Sequence, residues 1–395
     1  MNPARLQAAA HWIDQHTDDQ LGFLVALCGQ NSHTYHKAGT ERVAGMILDK
    51  IRDVFRIHQV VEQAEVGNHH VLRTTEGTPS IYLLGHMDTV FPPDHPFQTC
   101  EENGQRLRGP GTGDMKGGLA VIVYALLALR DVDLLDGLPL ALILSGDEEI
   151  GSATSHGIYE REREHALVCL VTECAGLHGE IVVSRNGKLG ARLDCYGRDR
   201  HVGFGTHEKS SAVLELAHKT IALEALNATL PGVSLNVGRV EGGLGPTTVP
   251  ARARAAIDVR WKDQVHHDAI LEQISKIVAS GVQPGCRSEF TVLNRRPAMP
   301  LLDGGEQLAA LVQDVALKLG QTVGREHRRG TSDANFFGSA GIPTVDGLGP
   351  ICDRDHTPEE YIITASLGQR TALLAGVLAT IGSNLESVGQ PFGQP

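Results

Sequence analysis

Two hydrophobic periods divide the chain. Apolar residues recur at helical spacing over 4–30 and 41–56, as in Val43, Met46, Ile47, Ile51 and Val54. Short continuous apolar runs follow: SIYLLGHMDTV (80–90), LPLALILSG (138–146) and HALVCLVTE (165–173). Runs of that length with polar ends predict buried strands. Residues 58–73 predict a strand and a turn, and the Ala- and Leu-rich stretch 114–132 a helix. Strands alternating with helices predict a doubly wound α/β sheet with helices on both faces. In such sheets, sites gather at the carboxyl ends of the strands. Polar clusters at 86–88, 147–149 and 173 fall at such ends.

The period changes after 181–197. ARARAAIDVRW (251–261) alternates strictly: Arg252, Arg254, Asp258 and Arg260 share one face, and Ala253, Ala255, Ile257, Val259 and Trp261 the other. Helical patterns at 210–227 and 266–281 flank it, and 288–294 is strand-like. This predicts an inserted α+β domain of ferredoxin-like type. Alternating α/β signals then return at 306–320, 341–349 and 364–385. The expected organisation is a catalytic domain in two parts, 1–183 and 297–395, around an insert at 184–296. A chain of 395 residues is long enough for two cores.

Composition narrows the function. The formal net charge is −12 and no block of Lys or Arg stands out, so nucleic acid is not an expected partner. The first residues carry no apolar signal-peptide core. No stretch approaches the roughly 18 uninterrupted apolar residues of a membrane span. The seven cysteines are scattered, with no CxxC pair, which argues against a disulfide framework or a thiolate zinc site. Reduced thiols in the cytoplasm are the expectation.

The chemistry lies in the strand-end clusters. His86 and Asp88 are two apart, so their side chains point the same way. A carboxylate beside an imidazole can fix its tautomer and free the other nitrogen for a metal. Asp114 sits among five glycines in RLRGPGTGDMKGG (106–118). Alone it would read as a helix cap, yet the glycines suggest a backbone that carries a carboxylate into a crowded place, such as a bridge between two cations. In SGDEEIGS (145–152), the side chains of adjacent Glu148 and Glu149 diverge. One can hold an ion while the other faces substrate. Asp147 beside them reads as a loop-shaping residue. Glu173 is a further strand-end acid, and His356 lies in a polar loop. Two histidines and three or more carboxylates suit Zn²⁺, Co²⁺ or Mn²⁺, with two ions sharing one carboxylate.

At this point the chain resembles family M20 of metallopeptidases. That family includes glutamate carboxypeptidases, acetylornithine deacetylases, succinyl-diaminopimelate desuccinylases and aminoacylases. The stretches LLGHMDTV, GPGTGDMKGGL, SGDEEIGS, TECAG, GGLGPTTVP, DVRW, GTSDANFF and DHTPEEYI run in the family's order over nearly the whole chain. The resemblance implies two divalent ions, Zn²⁺ first with Co²⁺ or Mn²⁺ as alternatives. His86 and Glu173 would hold one ion, Glu149 and His356 the other, and Asp114 would bridge them ahead of a cis peptide bond. Asp88 would orient His86, and Glu148 would be the general base. The insert would be a lid through which two copies dimerise. His201, with His207 as the competing candidate, would reach the partner's site and stabilise an oxyanion. Arg260, Thr247, Thr331 and Ser332 would contact substrate.

Departures bear on the substrate. Thr247 stands where many relatives carry Asn. Arg198, Asp199 and Arg200 replace small residues ahead of the lid histidine, and Cys174 replaces a frequent Pro. The leading expectation is a carboxypeptidase of the glutamate-releasing type, acting on a small molecule with a free carboxylate. N-acyl-amino-acid deacylation is the alternative, and an allantoate-amidohydrolase type of N–C hydrolysis is a further one. A rival of another class is a binding protein that kept the fold and lost the chemistry; loss of a ligand or of the base would favour it, and every expected position is filled.

Overall fold

In the computed structural model, residues 3–76, 79–204 and 209–388 are described. The chain forms two units. The first comprises Met1–Ser184, Leu301–Arg328 and Ser332–Pro395; the second comprises Arg185–Pro300 and Arg329–Thr331.

The three apolar runs become strands at the centre of the first unit. Its six-stranded sheet has the order Ile57–Val61, His69–Arg73, Leu140–Ser145, Ser80–His86, Ala166–Val171, Thr344–Val345. The first two junctions are antiparallel and the last three parallel, so the sheet is mixed. Both faces of the central strands are covered, which is why these strands read as continuous apolar runs rather than alternating ones. Ile81 and Leu83 face the main apolar cluster. Tyr82 faces the other way, where its hydroxyl donates to Glu162 and its ring lies 5.4 Å from that of Phe337.

The helix Gly117–Asp131 is buried at every position from Gly117 to Leu129. A helix apolar all round belongs inside a core. The 20-residue stretch Thr112–Asp131 that contains it is long and apolar enough for a membrane span, but 94% of its most apolar window is buried in the protein, so that surface is already spent on packing. At about 1.5–3 kcal/mol for each fully buried Val, Leu or Ile, this helix and its neighbours supply much of the unit's cohesion. Two boundaries differ from those the pattern predicts. The helix starts at Gly117 rather than 114, because Asp114 (φ −116°, ψ 95°) and Met115 (φ −130°, ψ 39°) leave helical geometry. The stretch 4–30 is two helices, Pro3–Gln15 and Thr17–Gly29, broken at His16, whose φ of −112° and ψ of 15° are not helical.

A buried histidine makes the first unit's stability depend on pH. Burial, with His58 beside it, pushes the His70 imidazole down to about 4. The folded state therefore binds fewer protons than the unfolded state between about 6.5 and 4. This contribution is complete above about pH 6.5 and is lost as pH falls toward 4, to an upper bound of about 3 kcal/mol. Thermal melts of the native protein and of His70→Asn should show a steeper loss of Tm over that window in the native protein. Parallel Tm–pH curves would refute the assignment.

The second unit is an antiparallel sheet of order Val233–Gly242, Arg252–Trp261, Gly187–Tyr196, Arg287–Arg296. Burial along Arg252–Trp261 follows the predicted alternation: Ala253, Ala255, Ile257, Val259 and Trp261 are buried and their neighbours are not. The buried face packs in one apolar cluster with Ala212, Leu216 and Leu223 of the helix Ala212–Glu224 and with Ile270 and Ile274 of Gln264–Ala279. Ser211 and Asp263 cap these helices by accepting from Leu214 N (3.3 Å) and His266 N (3.1 Å). Within the unit, buried Glu215 accepts from the backbone N–H groups of Val282 and Gln283 and pairs with Lys219. All seven cysteines are free thiols.

Candidate metal centre

The strand Ser80–His86 ends by presenting an imidazole, 1% exposed, to a ring of carboxylates. His86 Nδ1 lies 3.0 Å from the backbone carbonyl oxygen of Asp88. A carbonyl can only accept, so Nδ1 carries the proton in this contact and Nε2 is left as the lone-pair nitrogen of the neutral ring. Nε2 lies 2.9 Å from Asp114 Oδ1 and 3.5 Å from Glu173 Oε1. His356 mirrors the arrangement: its Nε2 lies 3.0 Å from Asp114 Oδ2 and 3.1 Å from Glu149 Oε2. One carboxylate thus serves two imidazoles, one oxygen to each, and each imidazole has a second acid of its own.

Asp88 meets His86 chiefly through its backbone. Its carboxylate is 3.4 Å from His86 Nδ1, farther than its own backbone carbonyl. The carboxylate instead accepts from Thr34 Oγ1 (2.7 Å) and from the backbone N–H groups of Glu148 and Glu149 (3.2 Å each). It therefore ties the strand end to the loop that carries both glutamates.

The acids of that loop divide by environment. Asp147 is fully buried and accepts from Thr154 N (2.6 Å), Thr154 Oγ1 (2.9 Å), Ser155 N (3.2 Å) and Ser155 Oγ (2.5 Å). It shapes the loop and faces no histidine of the cluster. Asp333 braces the loop from below, accepting from Ser145, Ser152 and Tyr159 hydroxyls. Glu149 turns one oxygen to His356, and its Oε1 is buried with no hydrogen-bond partner.

Asp114 reaches the cluster through an irregular stretch. Gly111 has φ +72°, a conformation that favours glycine, and the Asp114–Met115 peptide is cis. A Cβ on Gly118 would overlap the carbonyl oxygen of Thr172, so only glycine lets the following helix lie against that strand end. The partner His356 itself sits at φ +61° and Arg354 at φ +60°. Such a conformation is costly for non-glycine residues and persists only where neighbours hold it. Here Thr357 Oγ1 and Thr357 N both donate to the Arg354 carbonyl.

The cluster's acids draw protons onto its imidazoles. Burial opposes a charged His86, yet hydrogen bonds to Asp114, Asp88 and Glu173 hold its pKa well above the ordinary value. Hydrogen bonds to Asp114 and Glu149 raise His356 to about 11. Burial, with Asp114 beside it, pushes Glu173 up to about 7. Burial likewise pushes Glu149 well up. Burial would raise Asp114 too, but bonds from His356 and His86 hold it well below the carboxylate range. Protons taken up in this way stand where a cation would balance the acids. Donor atoms of His86, Asp114 and Glu149 all lie within 4.8 Å of one another. The orphaned Glu149 oxygen, the paired carboxylates and the lone-pair nitrogens fit a divalent ion.

The other predicted site residues are placed as follows. Within the second unit, His201 is exposed on the ribbon formed by Arg200–His201 and Thr248–Val249, and its Nδ1 accepts from Gly203 N at 3.0 Å. Thr247 adjoins the same ribbon, and its carbonyl accepts from Val202 N. Arg260 Nε donates to Asp258 (2.9 Å) and its Nη1 to the Arg329 carbonyl (3.1 Å). Thr331 is half-buried. His207 lies outside the described residues. Ser332, in the first unit, is 1% exposed and its hydroxyl donates to Asp346 at 2.6 Å.

Three contributors escaped the sequence reading: Thr34, Asp333 and Glu360. The last accepts from the N–H groups of Gly111, Gly113 and Asp114. DHTPEEYI contains Glu360, but only its histidine stood out.

Comparison with known proteins agrees with this picture. The sequence profile of peptidase family M20/M25/M40 matches residues 82–380. Carboxypeptidase G2 of Pseudomonas sp. (strain RS-16) is 24% identical over 314 residues, covering 78% of this chain and 75% of that protein. Succinyl-diaminopimelate desuccinylase of Nitrosococcus oceani is 29% identical over 317 residues, covering 75% of this chain and 82% of that protein. Among solved structures, aminopeptidase PepT from Bacillus cereus superposes with a TM-score of 0.73 at 22% identity, covering 92% of this chain and 98% of that one.

Proposed function

We propose a reaction from one premise: the chain belongs to peptidase family M20/M25/M40. It is a metal-dependent hydrolase, and we read it as one that uses two divalent ions, Zn²⁺ first, to cleave an amide bond next to a free carboxylate. The observation that carries this reading is Asp114, whose two oxygens face two different imidazoles. His86 and Glu173 would hold one ion, His356 and Glu149 the other, and Asp114 would contribute to both. When bound, such ions supply charge that acidifies water and polarises a carbonyl.

The rest is the work of side chains. Glu148 is assigned as general base: it takes a proton from the attacking water and returns it to the departing nitrogen. Its backbone N–H is fixed by Asp88, so the carboxylate is presented from an anchored position. Asp88 also keeps the loop of Glu149 against the strand end. We assign His201 to oxyanion stabilisation in a homodimer formed through the second unit. Arg260, Thr247 and Thr331 are assigned to substrate contact, with Arg suited to a carboxylate by its bidentate donors.

The likeness to carboxypeptidase G2 supports release of a C-terminal amino acid. The likeness to a desuccinylase favours a second reading, removal of an acyl group from an N-acyl amino acid. A panel of glutamyl amides, dipeptides and N-acyl amino acids separates them. We expect hydrolysis within the first class, abolished by chelation and restored by Zn²⁺, Co²⁺ or Mn²⁺. Cleavage confined to N-acyl amino acids would move the assignment to the second reading, and full activity in metal-free protein would refute both.

A further inference from the structure

We propose that Glu360 is a positioning residue that fixes Asp114 and His356 relative to one another; the inference rests on the metal-site reading above. Glu360 is 1% exposed. Its Oε2 accepts from Gly111 N at 3.0 Å, and its Oε1 from Gly113 N at 2.8 Å and Asp114 N at 3.1 Å. Three N–H groups of one loop thus converge on two oxygens, a carboxyl group held by backbone dipoles in the manner of a nest. Lys116, the buried amine of the same loop, donates to the Gln30 carbonyl at 2.8 Å.

The same short segment touches Asp114 twice. His356 meets its carboxylate, and Glu360, four residues on, meets its amide. The segment between them is itself fixed. Glu360 N donates to the Thr357 carbonyl, Thr357 N to that of Arg354, and Gly109 N to the carbonyl of Glu360. The pairing of Arg106–Arg108 with Tyr361–Ile363 continues the tie beyond Glu360. A displacement of the Asp114 loop therefore has to carry His356 with it. Burying a second carboxylate beside Asp114 is electrostatically unfavourable. An acceptor-only group is nonetheless required, because an amide at this place would turn N–H donors toward Gly111 N.

The chemistry predicts what substitution does. Glu360→Gln keeps size and Oε1 but opposes donor to donor at Gly111. Outer-shell changes of this kind cost roughly 10–100-fold in metal affinity. Competition of the protein against a chromogenic chelator for Zn²⁺, well below each variant's Tm, should show that loss in folded Glu360→Gln. Glu215→Gln is the control, a buried carboxylate that also collects loop N–H groups but lies in the second unit. It should lower Tm and leave Zn²⁺ affinity native. A purely structural Glu360 would behave like that control, so native Zn²⁺ affinity in folded Glu360→Gln overturns the proposal. If that variant does not fold, Glu360→Asp, which withdraws the oxygens by one methylene, must lose affinity too. Amide exchange in the native metal-free protein gives an independent check: rapid exchange at Gly111, Gly113 and Asp114 would also overturn it. If the native protein itself bound no Zn²⁺, the metal-site reading would fail first, whereas equal binding by native protein and variant removes only the role of Glu360.

Discussion

Glu148→Gln should bind metal as the native protein does and turn over roughly 10²–10⁴-fold more slowly. The reasoning separates the two neighbours in the loop. Glu149 places an oxygen 3.1 Å from His356, within the cluster. Glu148 is held by its backbone N–H on Asp88, a contact that the side-chain change leaves intact. The amide of Gln cannot take up a proton at neutral pH, so the loss should fall on kcat. Metal content per protein, measured alongside single-turnover rates, distinguishes the roles. Loss of metal in Glu148→Gln would make it a ligand, and native turnover would remove it from proton transfer.

The second large effect is expected at Asp114. Each of its oxygens meets a different histidine, at 2.9 and 3.0 Å. Asp114→Ala should therefore weaken both ion positions together, by more than the roughly 100-fold that bounds outer-shell effects. Glu173→Ala, which removes an acid from the His86 side alone, should spare the other position. A metal titration with two resolved steps reads this directly: both steps lost in Asp114→Ala, one in Glu173→Ala. A single step lost in Asp114→Ala would refute the shared carboxylate. In metal-free protein the same substitution should bring His356 down from about 11, since Asp114 is the leading cause of that rise. An unchanged imidazole titration by NMR would contradict the contact.

Much of this was legible in the chain, and the reason is locality. The alternation of 252–261 declares its buried face residue by residue, because the strand period is two. The run 80–86 declares a strand buried on both faces and ends on the histidine it delivers. What stayed hidden depends on contacts that no period encodes. Thr34 meets Asp88 from 54 residues away, Ser145 meets Asp333 across 188, and Asp114 N meets Glu360 across 246. These residues look like any polar loop residue until the fold closes. The misplaced start of the helix at 117 has a local cause that pattern also conceals. Asp114 and Met115 carry helix-compatible side chains on a backbone that leaves the helix. The motif around Ser332 likewise does not show that its hydroxyl donates to Asp346, 14 residues on.

The order of segments also sets a timetable. The second unit's residues 185–300 interrupt the first unit, whose edge strand Thr344–Val345 and long helix Thr364–Val388 come later in the chain. At a synthesis rate of roughly 5–20 residues per second, the acids and the histidine encoded before residue 184 wait on the order of ten seconds for the intervening stretch to be made. During that wait Asp114 has neither His356 nor Glu360, and the nascent chain holds an acid-rich half-site with one imidazole. On the proposed ligand set, complete metal capture would be tied to the last part of translation, and a chain truncated before His356 would lack one of the ligands.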